Sequence, residues 1–131
     1  MSKPTEDVPD VQVHTSSRYH PEHSDPVAGY WLFTYSVTIT NRGDRPVQLV
    51  GRSWVITDAS GREEHVSGLG VVGEQPRIEP GGQYQYTSGC PLPTSMGAMR
   101  GHYDMVFLDG DGERVEVPIA PFTLADPASL N

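Results

Sequence analysis

The segment YWLFTYSVTITN, residues 30–41, determines how the rest of the chain can fold. Its bulky apolar residues occupy every second position, and threonine or serine fills most of the positions between them. Strict alternation over this length is typical of a β-strand with one buried face, because successive side chains of a strand point to opposite sides of the sheet. We therefore expect one buried face to hold Trp31, Phe33, Tyr35, Val37 and Ile39.

Strand patterns also precede and follow this segment. VQVHTSSRY, residues 11–19, predicts an edge strand, and PVQLVGRSWVITD, residues 46–58, predicts a long strand. In residues 46–58 the alternating apolar side chains occupy odd positions before Gly51, at Val47 and Leu49, and even positions after it, at Trp54 and Ile56. We therefore expect a β-bulge near Gly51. MRGHYDMVFLDGDGERVEVPIAPF, residues 99–122, predicts a hairpin that turns at DGDG. Its second strand contains Pro118, which favours a position at a sheet edge.

Seven or eight short strands with no helical period between them predict an all-β chain, an immunoglobulin/fibronectin III-like β-sandwich of seven to eight strands. Fourteen glycines and twelve prolines agree with a chain of many turns. We expect residues 1–10 to be a disordered N-terminal tail, residues 11–125 to be the folded domain and residues 126–131 to be a C-terminal tail. Tyr103 is expected to be the tyrosine corner, with its hydroxyl bonded to an upstream backbone group.

The charge of the chain restricts its partners. Seventeen acidic residues against nine lysines and arginines give a net charge of −8, and the cations are scattered singly. Such a chain repels phosphodiester backbones and anionic lipids, so we expect no nucleic acid and no membrane as partner. One cysteine, no apolar N-terminal run and no apolar stretch of about 20 residues predict a cytoplasmic location. The sequence leaves the oligomeric state open.

The glycine-rich segment GLGVVGEQPRIEPGGQYQYTSG, residues 68–89, contains the spacing GxGxxG. A dinucleotide site needs a helix that begins inside this motif, but two prolines and no helical period follow it here. We interpret the motif as a structural loop with an adjoining contact surface. The alternative is a low-affinity sensor of nucleotide, pyrophosphate or divalent cation, built on an anion nest of Gly68, Gly70 and Gly73 with Arg77 as the nearby cation.

Within this segment we predict an interaction loop, the name used below for residues 68–77. Val71 and Val72 are adjacent, so in an extended backbone one can anchor the loop on the core while the other faces a protein partner. The rival interpretation is that the glycines and prolines only close the end of the sandwich. The predicted interaction loop consists of Gly68, Leu69, Gly70, Val71, Val72, Gly73, Glu74, Gln75, Pro76 and Arg77.

Catalytic and metal-binding patterns are weak. Cys90 precedes Pro91 with no nearby cation to lower its pKa, so a buried or idle thiol is expected. His20 and His23 lie in a turn beside Glu22 and are interpreted as solvated side chains rather than metal ligands. DGDGE resembles the start of a calcium loop but lacks the glutamate at the twelfth position, so it is interpreted as a hairpin turn. We therefore predict no enzyme activity, no catalytic residue, no metal and no cofactor.

The run GLGVVGEQPRIEPGGQYQYTSGCPL resembles the signature of the ApaG family. The likeness extends from Val11 to Leu124 and includes SDP at residues 24–26, TITNRG, VQLVGRSWVITDASG and MRGHYDM. The residues of the run that carry it are Gly68, Gly70 to Gly73, Glu74, Gln75, Pro76, Ile78, Pro80, Gly81, Tyr86, Ser88, Gly89 and Leu92.

The resemblance implies a small cytoplasmic bacterial protein with a fibronectin III-like sandwich and no established enzymatic activity. It also implies an association with cobalt and magnesium efflux, a gene beside a dinucleoside-tetraphosphate hydrolase, and related eukaryotic domains that look like partner-binding modules. Three positions depart from the family pattern: Ser53 for a common histidine, Leu69 for a polar residue and Ala120 for proline. The serine argues against a metal at that position.

Overall fold

The computed structural model describes residues 10–130. Nine residues of the predicted N-terminal tail, 1–9, therefore lie outside the described part of the chain. The eight strands are β1 (Val11–Tyr19), β2 (Trp31–Asn41), β3 (Val47–Asp58), β4 (Glu63–Leu69), β5 (Arg77–Ile78), β6 (Gln83–Leu92), β7 (Met96–Phe107) and β8 (Arg114–Ala125). Three 3-10 turns, at Pro21–His23, Pro26–Ala28 and Pro127–Leu130, are the only helical elements within residues 10–130. None of them has the length and hydrophobicity to span a membrane.

Two antiparallel sheets form the β-sandwich that the sequence predicts. One sheet has the strand order β1-β2-β6, and the other has the order β4-β3-β7-β8 with β5 added beside the start of β3. The two sheets meet along one side, where the Ser17 hydroxyl of β1 donates to the Thr123 carbonyl of β8 at 2.7 Å. β8 is an edge strand, which explains how it accommodates Pro118.

Strand β2 supplies the centre of the core, as its alternation predicts. Phe33, Val37 and Ile39 are fully buried, and Tyr35 is nearly so. Trp31 is only half-buried, which corrects the expectation for the fifth member of this face. It is the first residue of β2 and pairs with the last residue of β6, so it lies where both strands end.

The predicted bulge in β3 is confirmed. Leu49 pairs with Met105 of β7, but Gly51 pairs with the very next residue, Asp104, so Val50 has no partner in β7. One extra residue reverses which side of the strand the following side chains face. Leu49 and Trp54 are therefore both buried although their positions differ in parity.

A second bulge lies between β7 and β8. Met99 pairs with Phe122, whereas Gly101 pairs with Ile119, so Ala120 and Pro121 together lie opposite one residue of β7. The bulge removes the proline from the regular ladder, where its missing N–H would leave a bond unmade.

The hydroxyl of Tyr103 has a different partner from the one predicted. It hydrogen-bonds to the hydroxyl of Tyr86 at 2.5 Å, rather than to an upstream backbone group. Tyr103 belongs to the five-stranded sheet and Tyr86 to the three-stranded sheet, so the bond joins the two layers. Burial raises the pKa of both hydroxyls, which keeps them neutral. Tyr103 is fully buried, and it lies within β7 rather than at a turn. Its side chain therefore points towards the other sheet, where its hydroxyl meets that of Tyr86.

We expect Tyr103→Phe to lower the free energy of unfolding by about 1–2 kcal/mol, because the half-buried Tyr86 hydroxyl would lose its partner. Tyr84→Phe is the matched control, since Tyr84 is also half-buried on β6 and its hydroxyl has no comparable bond to any residue from 10 to 130. The double variant Tyr86→Phe/Tyr103→Phe should cost less than the sum of the two single changes, because removing both hydroxyls leaves neither unpaired. Denaturant unfolding measures all four; additive losses would contradict the pairing.

Candidate functional site

Part of the interaction loop belongs to strands. Gly68 and Leu69 are the last residues of β4, and Arg77 begins β5, so only residues 70–76 lie outside strands. At its tip, Val71 and Glu74 exchange two backbone hydrogen bonds, with N···O distances of 2.8 and 2.9 Å. Val72 and Gly73 between them both have positive φ, +48° and +79°. This is the conformation of a type I′ turn, the tight turn that closes hairpins.

Val72 is strained in this turn. It is the only non-glycine residue with positive φ within residues 10–130. A β-branched side chain in the left-handed region collides with its own backbone, which costs roughly 1–2 kcal/mol. Such strain persists only where the surroundings enforce it, and it is concentrated at functional sites. The conformation of Val72 therefore costs folding free energy, and the side chain that causes this cost is exposed.

The side chains of Val71 and Val72 lie on opposite sides of the turn. Val71 is fully buried in the core, while Val72 is 61% exposed. Leu69, two residues before Val71, is 80% exposed. The buried valine anchors the turn, and two apolar side chains remain on its outer surface.

The bulge in β3 supplies the main attachment of the loop. The carbonyl of Val50, the extra residue of the bulge, accepts hydrogen bonds from the Gly70 N–H at 2.9 Å and from Gln75 Nε2 at 3.0 Å. Gln48 Nε2 donates to the Gln75 carbonyl at 2.9 Å, and the Leu49 N–H donates to the Pro76 carbonyl at 3.0 Å. Four hydrogen bonds thus hold residues 70–76 against one short stretch of β3.

Arg52 is a loop-binding residue that the sequence analysis missed. Its Nη1 donates to the carbonyls of Leu69 and Gly70, both at 3.0 Å. Gly68 makes this possible, because a Cβ there would lie only 3.0 Å from the same nitrogen. Gly70 is required by a separate contact, since its Cβ would come within 2.2 Å of the Glu74 carbonyl oxygen. No sequence signal marks Arg52, since the bulge alone turns it towards the interior.

These contacts occupy one of the three backbone N–H groups, that of Gly70, in the anion nest of Gly68, Gly70 and Gly73 that the sequence offered as an alternative. The N–H of Gly70 is bonded to Val50, and the N–H groups of Val71 and Glu74 are bonded within the turn, so none of them is free for an anion. The guanidinium beside Gly68 belongs to Arg52, whereas Arg77 pairs with Gln48 in the β3–β5 ladder. The described residues contain no α-helix after the motif, as its prolines predict.

The remaining predicted residues divide by exposure. Gly68 and Pro76 are half-buried and Gly70 is buried, so they shape the loop. The polar residues Glu74, Gln75 and Arg77 are exposed, as are the apolar residues Leu69 and Val72. The outer surface of the interaction loop therefore carries both apolar and polar side chains.

A cavity of about 260 Å³ lies between the sheets and is lined by residues that include Arg52, Trp54, Glu64 and Cys90. Burial, and next the charge of Glu64, raise the pKa of the Cys90 thiol to about 11. The thiol is thus protonated at neutral pH and is a poor nucleophile. The Nε1 of Trp54 is buried without a hydrogen-bond partner, which costs about 1–3 kcal/mol.

The two other sequence candidates are placed in turns. His20 Nδ1 lies 3.3 Å from Glu22 Oε2, and its Nε2 is bonded to the Thr34 hydroxyl at 2.7 Å. DGDG forms the turn between β7 and β8, as predicted, with Asp109 paired to Arg45 at 2.9 Å. Glu22 Oε2 also lies 3.9 Å from His23 Nε2, but in neither turn do ligand atoms of three residues all lie within 4.8 Å of one another.

Outside the loop, the structure brings together three residues that sequence reasoning did not connect. His102 and Asp104 of β7 and Glu116 of β8 lie on the outer face of the five-stranded sheet, with one ligand atom of each within 4.8 Å of the others. His102 and Asp104 are two residues apart in a strand, which places them on one face and is a weak signal. Glu116 could be found only from the strand register.

Comparison with known proteins agrees with the resemblance seen in the sequence. The model of the ApaG domain matches residues 21–107. "Protein ApaG" of Bordetella pertussis is 50% identical over 122 residues, covering 93% of this chain and 92% of that protein, and "Protein ApaG" of Sodalis glossinidius is 50% identical over 123 residues, covering 94% and 97%. A crystal structure described as a putative ApaA protein from Bordetella pertussis superposes with a TM-score of 0.87 at 50% identity, covering 92% of this chain and 96% of that one. The chain belongs to the ApaG domain family.

Proposed function

We propose that this ApaG domain is a non-enzymatic binding module that presents the interaction loop to a protein partner. The strained, exposed side chain of Val72 carries the proposal. A glycine at this position would adopt the same φ without strain. The valine thus costs folding free energy and adds nothing to the core, so we infer that its side chain serves binding.

The surface around Val72 suits a protein interface. Leu69 and Val72 are exposed apolar residues, and the exposed polar residues Glu74, Gln75 and Arg77 lie within the same short segment. Protein interfaces commonly combine an apolar centre with a solvated polar rim. Four hydrogen bonds to residues 48–50 of β3 and two from Arg52 also hold the loop, so that little conformational entropy would be lost on binding.

The rival interpretation, that the loop only closes the end of the sandwich, accounts for Val71 and for the glycines. It does not account for Leu69, the final residue of β4, which is 80% exposed. The buried Cys90 thiol, with its raised pKa, supports a role without nucleophilic catalysis. The family resemblance suggests a cytoplasmic partner connected with cobalt and magnesium efflux.

We expect Val72→Gly and Glu74→Ala/Arg77→Ala to reduce the yield of proteins that the wild-type domain captures from bacterial lysate. The stability of Glu74→Ala/Arg77→Ala should change little, because exposed loop substitutions are usually within about ±0.5 kcal/mol. Val72→Gly should not lower stability, because glycine relieves the strain at position 72. Val27→Ser is the matched control, since Val27 is fully exposed in a different turn. Quantitative mass spectrometry and thermal melting check both statements; undiminished capture by both loop variants would place the binding surface elsewhere.

We also expect the Kd of the domain for ATP or a dinucleoside polyphosphate to be weaker than about 10 μM, or roughly −7 kcal/mol. No α-helix begins at residues 68–77, so no helix dipole attracts phosphate there. The N–H of Gly70 already donates to the Val50 carbonyl. The net charge of −8 repels phosphate groups. Calorimetric titration measures this constant. A tighter constant would favour the nucleotide-sensor alternative over the protein-binding module.

A further inference from the structure

We propose that His102, Asp104 and Glu116, the β7–β8 triad, form a binding site for a divalent transition-metal ion such as Zn²⁺. The triad lies on the outer face of the five-stranded sheet and contains no residue of the interaction loop. The inference therefore does not depend on the proposed protein-binding role.

The sheet fixes the backbone positions of the three ligands. His102 and Asp104 are separated by one residue on β7, so their side chains leave the same face. Asp104 lies directly opposite Glu116 in the β7–β8 ladder. His102 Nε2 is 3.5 Å from Asp104 Oδ1 and 3.8 Å from Glu116 Oε2. Two hydrogen-bonded strands thus bring three metal-ligand groups close to one point.

These distances suit a shared metal ion. Zinc–nitrogen and zinc–oxygen bonds of about 2.0–2.2 Å at a tetrahedral angle place neighbouring ligand atoms about 3.3–3.6 Å apart. The His102–Asp104 distance lies in this range, and a small rotation of the exposed Glu116 side chain would bring its oxygen into it. Water would complete the coordination of a site with three protein ligands.

The donor types select the class of ion. Imidazole nitrogen suits zinc and other transition metals, whereas magnesium and calcium prefer a shell of oxygen ligands. One imidazole and two carboxylates therefore favour Zn²⁺ over Mg²⁺. A divalent ion would also neutralise the two carboxylates, whose negative charges are held close together.

Within residues 10–130 no arginine forms an ion pair with these carboxylates, although Arg52 and Arg114 line the same groove as Asp104. Arg114 lies two residues before Glu116 on the same face, yet within the described residues it forms no ion pair with either acid. Arg100, two residues before His102, is directed to Glu63 at 3.5 Å. The side chain of Asp104 borders an open groove of about 440 Å³, through which an ion can reach it.

The other histidine–carboxylate pairs show what distinguishes the triad. His65 Nε2 lies 3.4 Å from Glu63 Oε1, with the same spacing of two residues on a strand. Glu63, however, also binds Arg100, and no third ligand completes that pair. Within residues 10–130, only the triad brings three possible ligands together. His65 is thus a matched control for His102.

The test is calorimetric titration of Zn²⁺ into the full chain in a non-coordinating buffer. We expect one Zn²⁺ per chain, with Mg²⁺ binding more weakly. His102→Gln, Asp104→Asn and Glu116→Gln should each weaken Zn²⁺ binding by about tenfold or more, and His65→Gln should leave it unchanged. Absence of Zn²⁺ binding, or binding that the three variants do not weaken, would overturn the proposal.

A second measurement uses the wild-type protein alone. Zn²⁺ should shift the imidazole nitrogen resonances of His102 in the NMR spectrum before those of His65, because only His102 has two carboxylates within reach. This readout remains decisive if a variant folds poorly. Equal responses of the two histidines would show general surface binding and would reject the site.

Discussion

The single extra residue at Val50 is the constraint on which both the core and the candidate site depend. Without it, the side chains that follow in β3 would face the wrong side of the sheet, and Trp54 would point to solvent. The bulge also leaves Val50 without a paired residue in β7. Gly70 and Gln75 donate to the Val50 carbonyl, so the irregularity that corrects the core also attaches the loop. Packing and loop geometry therefore have one cause.

The same attachment explains how the strain at Val72 is tolerated. Full burial of a valine side chain such as Val71 is worth roughly 1.5–3 kcal/mol, which exceeds the roughly 1–2 kcal/mol of a left-handed, β-branched residue. The two hydrogen bonds between Val71 and Glu74 then fix the turn type. Burial on one side of the turn thus stabilises an unfavourable backbone conformation on the other.

The sequence predicted those features that depend on local pattern. Alternation located β2, and the change of parity around Gly51 located the bulge, because both are properties of one strand. The partner of the Tyr103 hydroxyl was predicted wrongly, since Tyr86 lies in the other sheet and contacts between sheets leave no sequence period. Arg52 was not predicted for a related reason. Its side chain points inward because of the bulge, and it donates to backbone carbonyls, which every residue has. The functional role of the loop stays a prediction.

The triad shows why strand register, and not spacing, decides such sites. Glu116 follows Asp104 by twelve positions, and the intervening DGDG turn sets which residue of β8 lies opposite Asp104. A shift of one residue would place Glu116 on the inner face.

Asp104 borders the same groove as Leu69. A dication bound at the triad would therefore add positive charge to one wall of a groove whose other wall belongs to the interaction loop. Any effect on a partner bound there would be reciprocal, because linkage requires the partner to change ion affinity by the same factor.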